Sequence, residues 1–250
     1  MNPDAAHRLS DAEIDEEIAH AIELTDGDGL PALVELRDRL HTERDLSDPV
    51  IARVWDALVR VAARVPEDFE DFLFHAEGRA RWRSAALGSI HPDTIAAWSE
   101  LAETAEAEGA WDIAMRSWGE IAGAPIDRTA PPFGGADDRG QAPVVDDVGR
   151  VTQLAISRAL RGLGARKLVG GQLAEARVLF ERDLAVNERL YPTGDPQLAI
   201  SVGNLALVIE RQGDRLHAHQ LRRRQRDLLA AIGAPAGQLA SLDAQLARLV

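Results

Sequence analysis

The sequence contains no cysteine, which excludes disulfides, thiolate zinc sites and cysteine nucleophiles. It also has no uninterrupted apolar run near the roughly 18 residues that indicate a membrane-spanning helix. Its first residues, MNPDAAHRLSDAE, are polar and acidic, and they lack the basic region and apolar stretch of a signal peptide. From these absences we expect a cytoplasmic protein that does not engage a membrane.

Motifs for catalysis and cofactor binding are missing as well. No Gly-x-Ser-x-Gly or phosphate-loop pattern occurs. His217 and His219 are two residues apart and would point in different directions on a helix, and Glu17 and His20 form one Glu-x-x-His pair where a di-iron site needs two. Asp26–Gly29 lacks the glutamate that a calcium loop needs. We therefore predict no catalytic residue, no metal and no cofactor, although residues that converge only in three dimensions leave no such motif.

The formal net charge of −13 is unevenly distributed. Residues 1–125 contain 27 acidic and 11 basic residues, a net charge of −16, whereas residues 126–250 contain 14 acidic and 17 basic residues, a net charge of +3. An acidic half repels nucleic acid and favours a basic partner, although an acidic surface also serves solubility alone. We expect any partner of the N-terminal half to be basic and nucleic acid not to be the main ligand.

Helical signals begin near the N-terminus. Ser10 and Glu13 have the spacing of a capping box, and Ile14 and Ile18 follow at helical spacing. Pro31 opens a second helix, whose apolar stripe is Leu33, Leu36 and Leu40. Residues 1–47 therefore predict an N-terminal helical pair that caps the chain, and no alternating pattern predicts a strand.

One segment differs in composition from the rest. Residues 123–147 are rich in proline and glycine and carry several aspartates, a composition that cannot sustain a helix. We interpret this segment as an exposed loop that acts as an inserted spacer, with a functional loop as the alternative.

The strongest feature is an internal repeat, marked by Gly109, Gly171 and Gly213. The second interval is 42 residues, and the first is 62, which becomes 42 if about 20 residues are inserted in the proline-rich segment. Around each glycine the pattern of large and small residues recurs at matching spacings. The copies are Trp98, Leu101, Ala102, Ala105, Trp111, Ala114 and Trp118; Leu160, Leu163, Gly164, Lys167, Leu173, Ala176 and Phe180; and Val202, Leu205, Ala206, Ile209, Arg215, Ala218 and Arg222.

A second register mark agrees with the glycines. Asp48-Pro49, His91-Pro92 and Asp195-Pro196 each precede an equivalent position by six or seven residues. They predict a degenerate first unit that begins at residue 48, in which Pro66 replaces the turn glycine. The predicted organisation is then a degenerate and a first good unit over 48–122, two further units over 148–234, and a capping helix over 235–250.

Each repeated residue type has a physical role. Glycine at the turn adopts backbone angles that a Cβ disfavours. Alanine or glycine at the crossings, such as Ala102, Gly164 and Ala206, allows helices to approach closely. Large residues fill the space between helix pairs, and each buried aromatic contributes roughly 1.5–3 kcal/mol. Because one pair cannot bury both of its faces, pairs must stack. We expect Trp98, Trp111, Trp118, Leu101 and Phe180 to fill this space.

This pattern resembles the tetratricopeptide repeat (TPR), in its long 42-residue form found in kinesin light chains and many bacterial regulators. The resemblance is carried by Trp98…Leu101-Ala102…Gly109-Ala-Trp111…Ala114…Trp118 and by Gly203-Asn204-Leu205-Ala206, and it extends over about 91–122 and 154–233. It implies an all-α solenoid of antiparallel helix pairs, wound as a right-handed superhelix. Four positions depart from the family pattern, which usually has apolar or small residues there: Lys167, Asp183, Arg222 and Gln225.

The resemblance also implies a concave groove lined by the first helix of each pair. It assigns the partner-binding groove to Ser99, Glu103, Glu106, Arg158, Arg161, Asn204, Leu207 and Arg211, with Ala96, Ala165 and Ile200 beside them. In the family, the asparagine that matches Asn204 commonly contacts the backbone of a bound peptide. The alternative is that Asn204 caps or bridges neighbouring helices.

The function implied is that of a non-catalytic scaffold or adaptor that binds a protein or peptide. The first alternative is a regulatory or sensor module of a bacterial signalling or transcription system, with peptide or weak nucleic-acid contact through Arg222–Arg226. An enzyme on a helical scaffold is the second. On a helix the charges of Arg222–Arg226 fan around the axis, which favours a solvated face or contact with an acidic partner segment. In the tail, Leu239, Leu242, Leu246 and Leu249 share one face, which predicts a cap on the last repeat or, alternatively, a dimer contact.

Overall fold

The computed structural model describes residues 9–24, 28–65, 69–123, 147–192 and 194–249, without the side chains of residues 147 and 148. These residues form eleven helices and no strand. None of the helices in the described ranges is long and apolar enough to cross a membrane. The helices are α1 (Asp11–Glu23), α2 (Leu30–Glu43), α3 (Pro49–Ala62), α4 (Phe69–Leu87), α5 (Pro92–Ala107), α6 (Trp111–Gly123), α7 (Asp147–Val169), α8 (Leu173–Leu190), α9 (Pro196–Arg211), α10 (Arg215–Ala231) and α11 (Ala236–Leu249).

The predicted helix starts are confirmed by their caps. Ser10 and Glu13 form the capping box: the Ser10 hydroxyl accepts from the Glu13 N–H at 3.3 Å, and the Glu13 carboxylate accepts from the Ser10 N–H at 2.7 Å. The three lead-ins to proline share one role. The side chains of Asp48, His91 and Asp195 each accept a hydrogen bond from the N–H two residues on, at 3.0, 3.3 and 2.8 Å.

The three turn glycines occupy equivalent corners. Gly109, Gly171 and Gly213 have φ of +77°, +75° and +86°. The residue after each glycine donates its N–H to the carbonyl five residues back, at 2.8, 2.9 and 3.3 Å, which is the hydrogen bond of a Schellman motif. Gly233, which the sequence pattern did not mark, has the same geometry between α10 and α11, with φ of +72° and a bond of 3.0 Å.

The described helices fall into two compact units, Met1–Ala114 and Met115–Val250, and the division lies within α6. In the first unit, α1 packs on α2 and α3, and α2, α3, α4 and α5 each pack on the next helix in the chain. Its core contains the predicted stripes of α1, α2 and α3 together with Trp82 of α4. Trp55 lies against Gly78, where a Cβ would come within 2.5 Å of the indole ring, so the degenerate unit also pairs a large residue with a small one.

In the second unit, each helix from α7 to α11 packs on the next one. Phe180 is buried against Gly164, where a Cβ would lie 2.7 Å from its ring. The crossing alanines predicted from the repeat are completely buried in both units: Ala102, Ala114, Ala176, Ala206 and Ala218. Consecutive packing of antiparallel helix pairs, as expected for an α-solenoid, is thus present within each unit.

Helix α11 covers the end of the second unit. Leu242 and Leu249 are buried, and Leu239 packs against the same cluster of buried residues. This packing favours the interpretation of α11 as a cap.

Two expectations about single residues were wrong. Trp111 is 49% exposed, because it is the first residue of α6 and lies at the corner, whereas Trp98, Trp118, Leu101 and Phe180 are buried as expected. Arg222 does not lie on a solvated face but is buried.

Several predictions fall outside the described residues. They are the turn at residues 25–27, the break at Pro66 and the proline-rich loop between α6 and α7.

Candidate ligand-binding surface

The second unit brings most of the predicted groove residues onto two neighbouring helices. We call this surface the α7–α9 face; its residues are Arg158, Arg161 and Ala165 on α7, and Ile200, Asn204, Leu207 and Arg211 on α9. Two hydrogen bonds hold the helices side by side. Arg161 Nη1 donates to Gln197 Oε1 at 2.9 Å, and Arg211 Nη1 donates to the Leu168 carbonyl at 3.4 Å.

The α7–α9 face combines cations with apolar surface. Arg158 and Arg211 are exposed, and Ile200 is 42% exposed. The Arg158 guanidinium lies 5.6 Å from the centroid of the Trp118 ring, a cation–π contact that orients it. Leu207 is half-buried and packs on the core of the second unit.

A buried polar cluster lies among α7, α8 and α9. The carboxylate of Asp183 accepts hydrogen bonds from Ser157 Oγ at 2.6 Å, Asn187 Nδ2 at 2.9 Å and Ser201 Oγ at 2.8 Å. Asn187 Nδ2 also donates to Ser201 Oγ at 2.7 Å. Asp183 and Ser201 are completely buried, so these bonds join the three helices from within.

Burial raises the pKa of Asp183 above its ordinary value, because desolvation disfavours the carboxylate more than its partners favour it. The opposing influences are the hydrogen bonds from Ser157 and Ser201, the charge of Arg161 and the hydrogen bond from Asn187. The sequence identified Asp183 as a departure from the repeat pattern. The serines that accompany it, Ser157 and Ser201, carried no signal in one sequence.

The other departures from the repeat pattern also have partners. Lys167 Nζ lies 2.7 Å from Glu175 Oε2. Gln225 accepts a hydrogen bond from Arg222 at 3.0 Å and lies where a Cβ on Gly203 would come within 2.3 Å of it. The polar residues at these positions are therefore accommodated by small or charged neighbours.

In the first unit, Ser99, Glu103 and Glu106 share one side of α5, as their spacing predicts. Glu103 is exposed, and Glu106 and Ser99 are half-buried. The Ser99 hydroxyl is buried and has no hydrogen-bond partner among the described residues.

Part of the acidic charge of the first unit is used internally. Arg79 of α4 is buried and lies 2.5 Å from Glu100 of α5 and 3.6 Å from Asp56 of α3. Arg83 donates to both carboxylate oxygens of Asp56, at 2.8 and 3.0 Å. These arginines join three successive helices, an arrangement that the sequence did not predict.

The basic cluster Arg222–Arg226 on α10 is mostly paired within the chain. The closest contacts are 3.4 Å from Arg222 to Glu210, 2.7 Å from Arg224 to Glu188 and 3.1 Å from Arg226 to Asp243. Within the described ranges, Arg223 alone of these four arginines has no carboxylate at ion-pair distance. The cluster therefore presents little uncompensated charge to a phosphate backbone.

In the described part of the chain, no three His, Asp or Glu side chains are grouped as they would be to hold a metal ion. The Ser–Asp–Asn–Ser cluster contains no imidazole, and its hydroxyls are occupied by Asp183.

No family model and no curated protein matches this chain. Among solved structures, two crystal forms of a candidate kinesin light chain from Podosopora anserina, with nearly identical TPR-like repeats, match 89% and 90% of this chain and 98% of their own. Both have 17% identity and a TM-score of 0.41. BtubC (BKLC) from P. vanneervenii matches 90% of this chain and 91% of its own, with 14% identity and a TM-score of 0.42. At these values the likeness carries no argument about ligands, and the helix-pair architecture rests on the hydrogen bonds and packing described above.

Proposed function

We propose that this chain is a non-catalytic interaction scaffold that binds a protein or peptide segment across the α7–α9 face. The observation that carries the proposal is the combination of exposed Arg158 and Arg211 with exposed apolar surface at Ile200 on two helices that are fixed side by side. Cations beside apolar surface favour a ligand segment that carries both carboxylates and apolar side chains.

Asn204 supports a ligand in extended conformation. Its side chain is half-buried and makes no hydrogen bond to another described residue, so both its carbonyl and its amide group are available to a peptide backbone. This favours a ligand contact over the alternative in which Asn204 bridges neighbouring helices.

The buried cluster around Asp183 supports the same surface from beneath. It fixes α7, α8 and α9 to each other through charge-assisted hydrogen bonds. A surface that is ordered before binding loses less conformational entropy when the ligand arrives.

We further propose that the N-terminal half contributes a second contact for a basic segment, through Glu103 and Glu106 on α5. The motive is the net charge of −16 over residues 1–125, part of which stays exposed at Glu103.

The proposal can be tested by selecting peptides from a random library on the immobilised chain and measuring their affinity by fluorescence polarisation. We expect the double variant Arg158→Glu/Arg211→Glu to weaken selected peptides by at least about 10-fold, and Asn204→Ala to weaken them by a smaller factor. The matched control is Arg223→Glu, which reverses an exposed charge on α10. If the double variant and the control bind equally well, the ligand does not use the α7–α9 face.

The regulatory alternative with nucleic-acid contact has less support, because Arg222, Arg224 and Arg226 are neutralised by carboxylates of the chain itself. A salt-sensitive shift of labelled DNA in a gel, lost in Arg223→Glu, would favour that alternative instead.

A further inference from the structure

The second unit contains an open pocket that the α7–α9 face does not include. It has a volume of about 630 Å³ and lies among α6, the C-terminal part of α7 and the N-terminal half of α8. Apolar groups form much of its lining, and the main ones are Met115, Ala122, Leu163, Val178 and Leu179.

This pocket lies on the opposite side of α7 from the α7–α9 face. At 3.6 residues per turn, Leu163 and Lys167 lie about 140° and 180° around the helix from Arg158. A ligand in the pocket therefore contacts a different side of α7 from a ligand on the α7–α9 face.

Cations dominate the polar part of the lining. Arg116, Lys167 and Arg182 line the pocket with a single carboxylate, Glu175, which is paired with Lys167 at 2.7 Å. The lining thus has a net charge of +2 in a chain whose total is −13. Such a local reversal of sign attracts an anionic group and repels a basic one.

Exposed apolar surface is concentrated at the same place. Val178 is 55% exposed although it lies in the middle of the lining, and Gly119 of α6 presents no side chain to the space. A Cβ at Gly119 would meet no other atom within 4 Å, so this side of the pocket is empty rather than closely packed.

We propose that this pocket binds one large apolar side chain of a partner protein, in a segment whose neighbouring residues are acidic. The apolar side chain fills the space beside Gly119 and Val178, and the flanking carboxylates approach Arg116 and Arg182. An anchor of this kind in a pocket is the usual centre of a protein interface. The open mouth favours a side chain presented by a partner over a small molecule, which needs a more enclosing cavity.

The test uses the full chain and labelled synthetic octapeptides with a central Phe, Trp or Leu between Asp and Glu residues. We expect at least one of the three to bind, and we expect its affinity to fall when the central residue is replaced by Ser or the acidic residues by Lys. Binding should weaken as salt rises from 50 to 300 mM, because the charged contacts are partly exposed.

Two glycine variants separate the pocket from the α7–α9 face. Gly119→Leu fills the pocket without a clash and should weaken the peptide at least about 10-fold. Gly162→Leu is the matched control: Gly162 is also an exposed helical glycine with free space, but it lies between Arg161 and Leu163 and near Arg158, one turn away on the α7–α9 face. It should leave pocket binding unchanged.

Each outcome decides the proposal. Loss of binding in Gly119→Leu alone, with the Val178 and Leu179 methyl NMR signals shifted by the peptide, supports it. Loss in Gly162→Leu alone transfers the peptide to the α7–α9 face and overturns it. Failure of all three peptides to bind the unaltered chain, or equal binding of the Lys-flanked peptides, overturns it as well. Binding that survives Arg116→Glu/Arg182→Glu at 50 mM salt overturns the charged part. None of these results depends on whether the α7–α9 face binds a ligand.

Discussion

Asp183 illustrates how one buried charge can be placed in a helical array. Its three hydrogen-bond donors come from three helices, so the carboxylate is satisfied only when α7, α8 and α9 are all in place. A buried charge of this kind adds less to the free energy of unfolding than an apolar residue of similar size would, but it favours one alignment of the helices over others. The sign of its effect can be measured.

The stability of the chain should depend on pH through Asp183. Because the folded-state pKa is raised above the ordinary 3.8, the folded chain binds a proton more tightly than the unfolded chain. The contribution of this group is therefore fully present below about pH 4 and is lost as pH rises through the raised pKa. We expect Asp183→Asn, which cannot titrate, to gain stability relative to the unaltered chain over that window. Urea unfolding followed by circular dichroism at successive pH values measures the difference.

The matched control for that experiment is Asp227→Asn, which makes the same change at an exposed position on α10. A stability difference between Asp183→Asn and the unaltered chain that rises and falls with pH in the same way as the control would show that burial of Asp183 does not shift its proton affinity.

At the scale of the element, the turns carry most of the information that the sequence offered. Gly109, Gly171 and Gly213 predicted three equivalent corners, because a positive φ needs glycine and the helix pairs recur at a constant spacing. The Asp-Pro and His-Pro lead-ins predicted helix starts for a similar local reason. Gly233 was missed, since α11 is shorter than a full unit and its turn breaks the period.

The turns also provide a matched pair of substitutions with opposite signs. Gly171→Ala places a Cβ at φ of +75° and should lower the free energy of unfolding by about 1–2 kcal/mol. Gly162→Ala lies within α7 and should raise it by up to about 1 kcal/mol, because alanine favours the helix. Neither Cβ meets another atom within 4 Å, so packing does not confuse the comparison. Urea unfolding measures both values, and equal stability of the two variants would contradict the role assigned to the turn.

Across the whole molecule, the sequence predicted the helix pairs better than the side chains that join them. Periodicity identifies which positions are small or large, and those positions were buried in nearly every case. The polar links Arg79–Glu100 and Ser157–Asp183–Ser201 connect helices that are 18 to 26 residues apart or come from different pairs, and no spacing rule identifies them. The pocket beside Gly119 was missed for the same reason, because a gap between helices leaves no pattern in one sequence.

A consequence for the whole chain follows from neighbour-only packing. Asp183→Leu would leave the buried donors of Ser157, Asn187 and Ser201 without their acceptor, at a cost of roughly 2–4 kcal/mol in the free energy of unfolding. In an array whose helices contact mainly the next ones, such a loss spreads from neighbour to neighbour and weakens with distance along the chain. Hydrogen exchange measured by mass spectrometry should therefore show the largest loss of protection in α7, α8 and α9, a smaller loss in α10 and α11, and little change in α1 to α3. Asp227→Leu should leave the profile unchanged. An equal loss of protection in every helix would instead mean that the chain unfolds as one cooperative body.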